Sequence, residues 1–315
     1  MKPLYYILAL TLFTNLITGC KAQKKSKKEF ADSELYNLSK PNIIELPSEL
    51  DEISGITYYP KDTSVFAIID EDGILYKIPI KEPKNFKQWR FDKKSDFEDI
   101  VLLDSVFYVL ISNGDIETIK FKGDSLVIDK SSFYGKNTDE SLGDKKELSK
   151  AEKKELKNER RDEVKINEFE SLFKTDSGQL ILMCKECDAD AKNKVSLYKY
   201  EEGIPFTEYM SFEIAPIAQK LNDEKLKVKP SAAAINPINK DIYVLCSTGT
   251  KLLIILSSKG EFKEVYKLDP IIYKQPEGIA FTPAGDLIIT NEFAGEGNAE
   301  LLILKNKNKN KNKVE

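Results

Sequence analysis

A short polar motif recurs five times along this chain, each copy just ahead of an apolar run. The copies are Glu52-Ile53-Ser54-Gly55-Ile56, Asp96-Phe97-Glu98-Asp99-Ile100, Glu168-Phe169-Glu170-Ser171-Leu172, the degenerate Lys229-Pro230-Ser231-Ala232-Ala233, and Gln275-Pro276-Glu277-Gly278-Ile279. Their third positions lie 44, 72, 61 and 46 residues apart. That is a unit of about 45 residues, lengthened twice by insertions, and such a period marks a repeat architecture. A second, very hydrophobic run follows each copy, at 65–69, 106–111, 180–183, 242–245 and 287–289.

Between 42 and 304, runs of four to seven β-branched and aromatic residues are broken by Asp72-Gly73, Asn113-Gly114, Ser177-Gly178 and Lys259-Gly260, which read as tight turns between strands. The last unit shows three strands, 279–281, 287–289 and 301–304, and an orphan apolar run, 42–46, precedes the first motif. If the orphan pairs with 301–304, each unit has four strands and the ring closes without an exposed edge. The expected fold is therefore all-β: a β-propeller of five or six four-stranded blades spanning 41–304, closed by the N-terminal strand pairing in the last blade.

The flanks read differently. Residues 1–20 carry Lys2, an apolar stretch 4–17 and Ile17-Thr18-Gly19-Cys20, which resembles the bacterial lipobox; the resemblance implies a lipoprotein signal peptide ending at a lipidated Cys20. About 14 apolar residues fall short of the roughly 20 that span a bilayer. Residues 21–40, with five lysines by position 28, read as a disordered basic tether, and the absence of Asp after Cys20 points to an outer-membrane lipoprotein facing the periplasm of a bacterial envelope. The insertion 136–165 is almost wholly charged, with a capping box at Ser149-Lys150-Ala151-Glu152 that starts a polar, solvated helix. A second insertion, 214–228, places Ile214, Ile217, Ala218 and Leu221 at helical spacing, so it should lie on the body. Residues 305–315 alternate Lys and Asn and read as a disordered tail.

Charge excludes some functions and favours others. The net charge is only −4 with 32% charged residues, so no bulk attraction to nucleic acid follows. Because lysines concentrate in both flanks, the body between them is acidic and suits cationic partners. There is no histidine, which removes His-based triads, His general bases and His metal ligands.

In a propeller, a residue at one fixed offset before each innermost strand recurs around one mouth of the central channel. Here the first and third motif positions would set Glu52, Asp96, Glu98, Glu168, Glu170 and Glu277 around one opening, with Ser54, Lys229, Ser231 and Gln275 between them. Converging carboxylates must protonate, stay hydrated or share a cation, and oxygen-only ligands suit a hard cation such as calcium. The competing reading is structural: Glu, Ser or Asp ahead of a strand often bonds nearby backbone. A second polar set at the ends of the second strands faces the same rim with its alignment open by one residue. Its members are Asp70-Glu71-Asp72, Ser112-Asn113, Lys185-Glu186, Ser247-Thr248 and Asn291-Glu292; most read as ordinary turn residues, with Asp70, Asn291 and Glu292 the ligand candidates.

These motifs, in this order and followed by Ile-Thr-Asn291-Glu292, resemble the SdiA-regulated (YjiK-like) family over about 43–304. The resemblance implies a propeller like those of NHL-repeat and phytase-like proteins, with calcium in the central funnel. The fourth unit departs from the pattern, since Ser231 replaces Glu and Lys229 adds positive charge.

Cys184-Lys185-Glu186-Cys187 ends a strand and reads either as a disulfide or as two half-buried thiols; Cys246 at the matching place in the next unit reads as core. The leading expectation is a monomeric, membrane-tethered, non-enzymatic propeller that binds a cation and a small or peptide ligand at its acidic mouth. The alternatives are a calcium-dependent phytase-like phosphoesterase, for which only Lys229 and Lys185 offer phosphate-binding charge, and a protein-interaction scaffold using 136–165.

Overall fold

The computed structural model describes residues 29–131, 167–187, 190, 193–202 and 207–308. Their β-branched and aromatic runs form twenty strands in five antiparallel sheets. After β1 (Asn42–Glu45), blade 1 is β2 (Ile53–Tyr59), β3 (Ser64–Ile69), β4 (Asp72–Pro79) and β5 (Lys87–Lys94). Blade 2 is β6 (Phe97–Leu103), β7 (Val106–Ile111), β8 (Ile116–Lys122) and β9 (Ser125–Ser131). Blade 3 is β10 (Asn167–Lys174), β11 (Leu180–Cys187), β12 (Lys194–Lys199) and β13 (Thr207–Glu213). Blade 4 is β14 (Pro230–Ile235), β15 (Ile242–Cys246), β16 (Leu252–Leu256) and β17 (Phe262–Lys267). Blade 5 takes β18 (Pro276–Phe281), β19 (Leu287–Asn291) and β20 (Glu300–Leu304) from the end of the chain, and β1 as its outermost strand.

The blade number is thus five, and closure comes from the orphan strand: Asn42 lies opposite Ile303 and Glu45 opposite Glu300. The inner strands β2, β6, β10, β14 and β18 touch in that order, and β18 returns to β2. Second strands are packed on both faces by neighbouring blades, which is why they read as unbroken apolar runs; every residue of β3, β15 and β19 is buried. The core is accordingly split into five clusters, one per seam. Phe66, Phe97 and Phe107 fill the seam of blades 1 and 2, and Met183, Val195, Val244 and Ile254 that of blades 3 and 4.

Several expectations change. Tight-turn chemistry holds at Gly114, Gly178 and Gly260, which adopt φ of 92°, 82° and 81°. Asp72-Gly73 is instead the start of β4, where a Cβ on Gly73 would come within 2.7 Å of Asp92 on β5. The stretch 21–40 is not a free tether throughout. Tyr36 is fully buried, donates its hydroxyl to the Gly285 carbonyl (2.7 Å) and accepts from Asn236 (2.9 Å). Nor is the tail free from its first residue, because Lys305 pairs with Asp286 (2.9 Å) and Lys307 donates to the Ser33 carbonyl (2.7 Å). The second insertion forms α1 (Ala215–Leu221), whose Ile217 is buried while Ile214 and Leu221 pack against the seam of blades 3 and 4. The signal segment with Cys20, the charged insertion 136–165 and residues 309–315 lie outside the described residues. Among the described residues, no helix is long and apolar enough to cross a membrane.

Candidate functional site: an acidic funnel at one mouth of the channel

All five inner strands break register with their neighbours at the third motif position. Pairing jumps from Phe97 to Asp99, Phe169 to Ser171, Pro230 to Ala232 and Pro276 to Gly278, leaving Glu98, Glu170, Ser231 and Glu277 out of the ladder. In β2 the jump runs from Ile53 to Ile56 and leaves out Ser54 and Gly55. A bulge bends its strand and re-aims the extra side chain. Five bulges at one height therefore set five side chains around one mouth.

The second polar set resolves to the residue after each paired strand end. Ile69, Ile111, Cys184, Cys246 and Asn291 oppose Ile53, Phe97, Phe169, Pro230 and Pro276, so the rim residues are Asp70, Ser112, Lys185, Ser247 and Glu292. Backbone bonds lock the two sets together: Asp70 N–H donates to the Glu52 carbonyl (3.1 Å), Ser112 N–H to Asp96 (3.0 Å) and Glu292 N–H to Gln275 (2.9 Å).

Eight carboxylates share this opening: Glu52, Asp70, Asp96, Glu98, Glu168, Glu170, Glu277 and Glu292. Burial and mutual repulsion raise the pKa values of five of them, Asp70, Glu98, Glu170, Glu277 and Glu292. Burial, followed by the charges of Glu170, Asp96 and Asp70, pushes Glu98 up to about 10. Burial also raises Glu170, Glu277 and Glu292 to about 7; Lys185 pulls against the rise at Glu170, and the Ser247 hydroxyl against that at Glu277. Asp70 rises to about 6 through burial and a hydrogen bond shared with Asp96. Near neutral pH the ring therefore holds protons that isolated carboxyls would have lost.

An ammonium stands among the acids of blade 3. Lys185 hydrogen-bonds Glu170 and lies 3.6 Å from Glu168. Burial disfavours its charge, but Glu170 and Glu168 outweigh that and hold its pKa above the ordinary lysine value. Cys184 and Cys187, paired as a disulfide with Cα atoms 6.0 Å apart, bracket Lys185 and fix the strand end that presents it. Among the described residues, Glu52, Asp70 and Asp96 form no ion pair with Lys or Arg, so the negative charge is least compensated on the side of blades 1 and 2.

Other candidates are used structurally. The Ser54 hydroxyl donates to the Glu98 carbonyl (2.9 Å) and that of Ser231 to the Pro276 carbonyl (2.7 Å), each tying its strand to the next blade. Asn291 is fully buried, and its amide donates to the Ile272 carbonyl (2.7 Å) and to Glu300 (2.9 Å), so it faces the core and not the funnel. Lys229 is paired with Glu186 (2.6 Å) at the outer rim, and Gln275 donates to Glu292. Two contributors were not among the candidate residues. Lys251 adds a cation near Glu277 and donates to the Ser247 carbonyl; its place after a rim turn was the available signal. Buried Asp99 accepts from the Leu172 N–H (2.8 Å) and Ile100 N–H (2.8 Å), stitching blade 2 to blade 3. It occupies the motif position that holds Gly, Ser or Ala in the other copies.

The donor set fits a hard cation: carboxylate oxygens in number, no imidazole anywhere in the chain, and a buried Cys246 thiol that burial pushes up to about 12. Among the described residues no three of these carboxylates bring their oxygens within 4.8 Å of one another, so a cation on the side of Glu52, Asp70, Asp96 and Glu98, away from Lys185, would have to draw them together.

No known family model matches the chain, and neither does any curated protein. Solved structures do resemble it. Glutaminyl cyclase from Myxococcus xanthus superposes with a TM-score of 0.50 at 11% identity, covering 84% of this chain and 95% of that one. The PQQ-bound aldose sugar dehydrogenase from Streptomyces coelicolor gives 0.45 at 11% identity, over 85% and 99% of the two chains. A gluconolactonase from Xanthomonas campestris gives 0.44 at 8% identity, over 88% and 96%. At such identities the likeness speaks to the propeller fold alone.

Proposed function

We propose that this chain is an envelope-anchored propeller of the SdiA-regulated type, tethered through lipidated Cys20 on the periplasmic side of the outer membrane, whose acidic funnel binds calcium. The observation that carries the reading is the convergence of eight carboxylates from four blades on one opening, against two ammonium groups, Lys185 and Lys251, beside the acids of blades 3 and 5. A calcium ion at Glu52, Asp70, Asp96 and Glu98 supplies positive charge on the side away from the lysines, and it displaces the protons that Asp70 and Glu98 otherwise retain. Any further ligand, a small molecule or a peptide, would be recognised there through its own cationic groups.

Titration calorimetry with calcium chloride at pH 7.5 tests this. Wild type should give a saturable heat that Asp70→Asn/Asp96→Asn loses, and identical heats from the two proteins would remove the cation assignment. The anchor is tested separately by detergent phase partition, which Cys20→Ala should abolish.

Lys185 and Lys251 beside the acids also favour a second reading, calcium-dependent phosphoester hydrolysis, in which metal and lysines hold the phosphate while a metal-bound water attacks. Phosphate release from simple phosphomonoesters with calcium present must exceed a metal-only blank for this reading to stand.

A further inference from the structure

The opposite end of the channel has the reverse chemistry. The C-terminal ends of all five inner strands open there onto a cavity of about 950 Å³. Each blade contributes apolar wall: Ile56, Val101, Leu172, Ala233 and Ala280. One side is aromatic, with Phe66 and Phe107 rings 4.5 Å apart and Phe121 beside them. The size falls within the range of about 300–1,000 Å³ typical of small-molecule sites.

The lining carries two lysines, Lys61 and Lys174, and two acids, Asp104 and Asp176. Other lysines of this face are neutralised, Lys240 by Asp176 (3.0 Å) and Lys305 by Asp286 (2.9 Å). Among the described residues, Lys61 and Lys174, which line the cavity, form no ion pair. Lys61 lies over the Tyr59 ring, 5.8 Å from its centre. Lys174 donates to the Leu102 carbonyl (2.6 Å); burial pushes its pKa below the ordinary lysine value, and the charge of Asp104 pulls against that shift. An ammonium at the rim of an apolar bowl is complementary to one chemical class, an anion carrying a long alkyl tail.

We propose that this mouth is a second binding site, which takes the alkyl tail of a long-chain carboxylate and pairs its head group with Lys174. The site is independent of the acidic funnel and lies at the other end of the axis.

Full-chain protein carrying Cys20→Ala, so that no acyl chain of its own competes, is titrated with laurate. One saturable site is expected, with butyrate failing to bind because its tail is too short to fill the bowl. Lys174→Met should weaken laurate binding about tenfold or more, while Lys174→Arg stays within a few-fold of wild type. Ala234→Phe, at a half-buried position on the wall, should abolish laurate binding and leave the calcium heats unchanged. The proposal is overturned if laurate does not saturate, if Lys174→Met and Ala234→Phe both bind it like wild type, or if a cationic surfactant of equal chain length binds as tightly.

Discussion

Glu98 and Lys185 show how one residue can decide the behaviour of a crowded site. With its pKa near 10, Glu98 is a neutral carboxylic acid in the folded protein at pH 7 but an anion in the unfolded chain. The folded state then binds the extra proton, so wild-type stability falls as pH rises from about 4.5 towards 10. Gln is the neutral isostere and carries no such penalty. Glu98→Gln should therefore match wild type in thermal unfolding at pH 5 and exceed it increasingly towards pH 9; a constant difference across that range would contradict a protonated Glu98. Lys185 makes the opposite case. Lys185→Met leaves Glu170 without its cation, so the variant should lose about 2 kcal/mol or more at pH 8 and far less at pH 5, where Glu170 is protonated. Ser231 is humbler: with its hydroxyl on the Pro276 carbonyl, Ser231→Ala should cost about 1 kcal/mol in denaturant unfolding and leave calcium heats unchanged.

At the scale of elements, the bulged inner strand is the device on which the site depends. It is also where reading the sequence stopped short. The five motifs, the buried second strands and the closing strand were legible because repetition and apolar runs report packing directly. Rim residues were legible only to within one position, since one unpaired residue per inner strand shifts the count by one. That shift is why Asn291 looked like a ligand although Glu292 holds the rim. Likewise Ser54 and Ser231 shared an offset with Glu98 and Glu277, but a short hydroxyl reaches only the neighbouring carbonyl. The bulges also explain two glycines. A Cβ on Gly55 would stand 2.4 Å from Asp99 Cα, and one on Gly278 2.7 Å from the Ser54 carbonyl oxygen, because adjacent inner strands approach closely at the mouth. Gly55→Ala should therefore destabilise by about 1–3 kcal/mol or more, read as a lower denaturant midpoint. A variant as stable as wild type would mean that the ring can open at that seam without cost.

On the scale of the whole molecule, closure of the ring and charge at its mouth oppose each other. Five seams of apolar contact draw the blades together, while the carboxylates they converge repel one another at the axis. Protons, Lys185 and a cation are three ways to relieve the same repulsion, so they must compete. Because Asp70 is raised to about 6, and Glu170, Glu277 and Glu292 to about 7, the folded protein holds more protons than the unfolded chain between about pH 4 and 7. Stability should accordingly decline from pH 5 to pH 8 in the presence of a chelator. In the proposed reading calcium would bind the folded funnel in its deprotonated form, so it should raise the unfolding temperature strongly at pH 8 and little at pH 5, where protons already occupy the site. Thermal unfolding at both pH values, with EDTA and with millimolar calcium, reads this directly. The predicted pattern is a pH-dependent fall with EDTA that calcium erases. A fall of equal size in both conditions would mean that the funnel is relieved by protons and Lys185 alone.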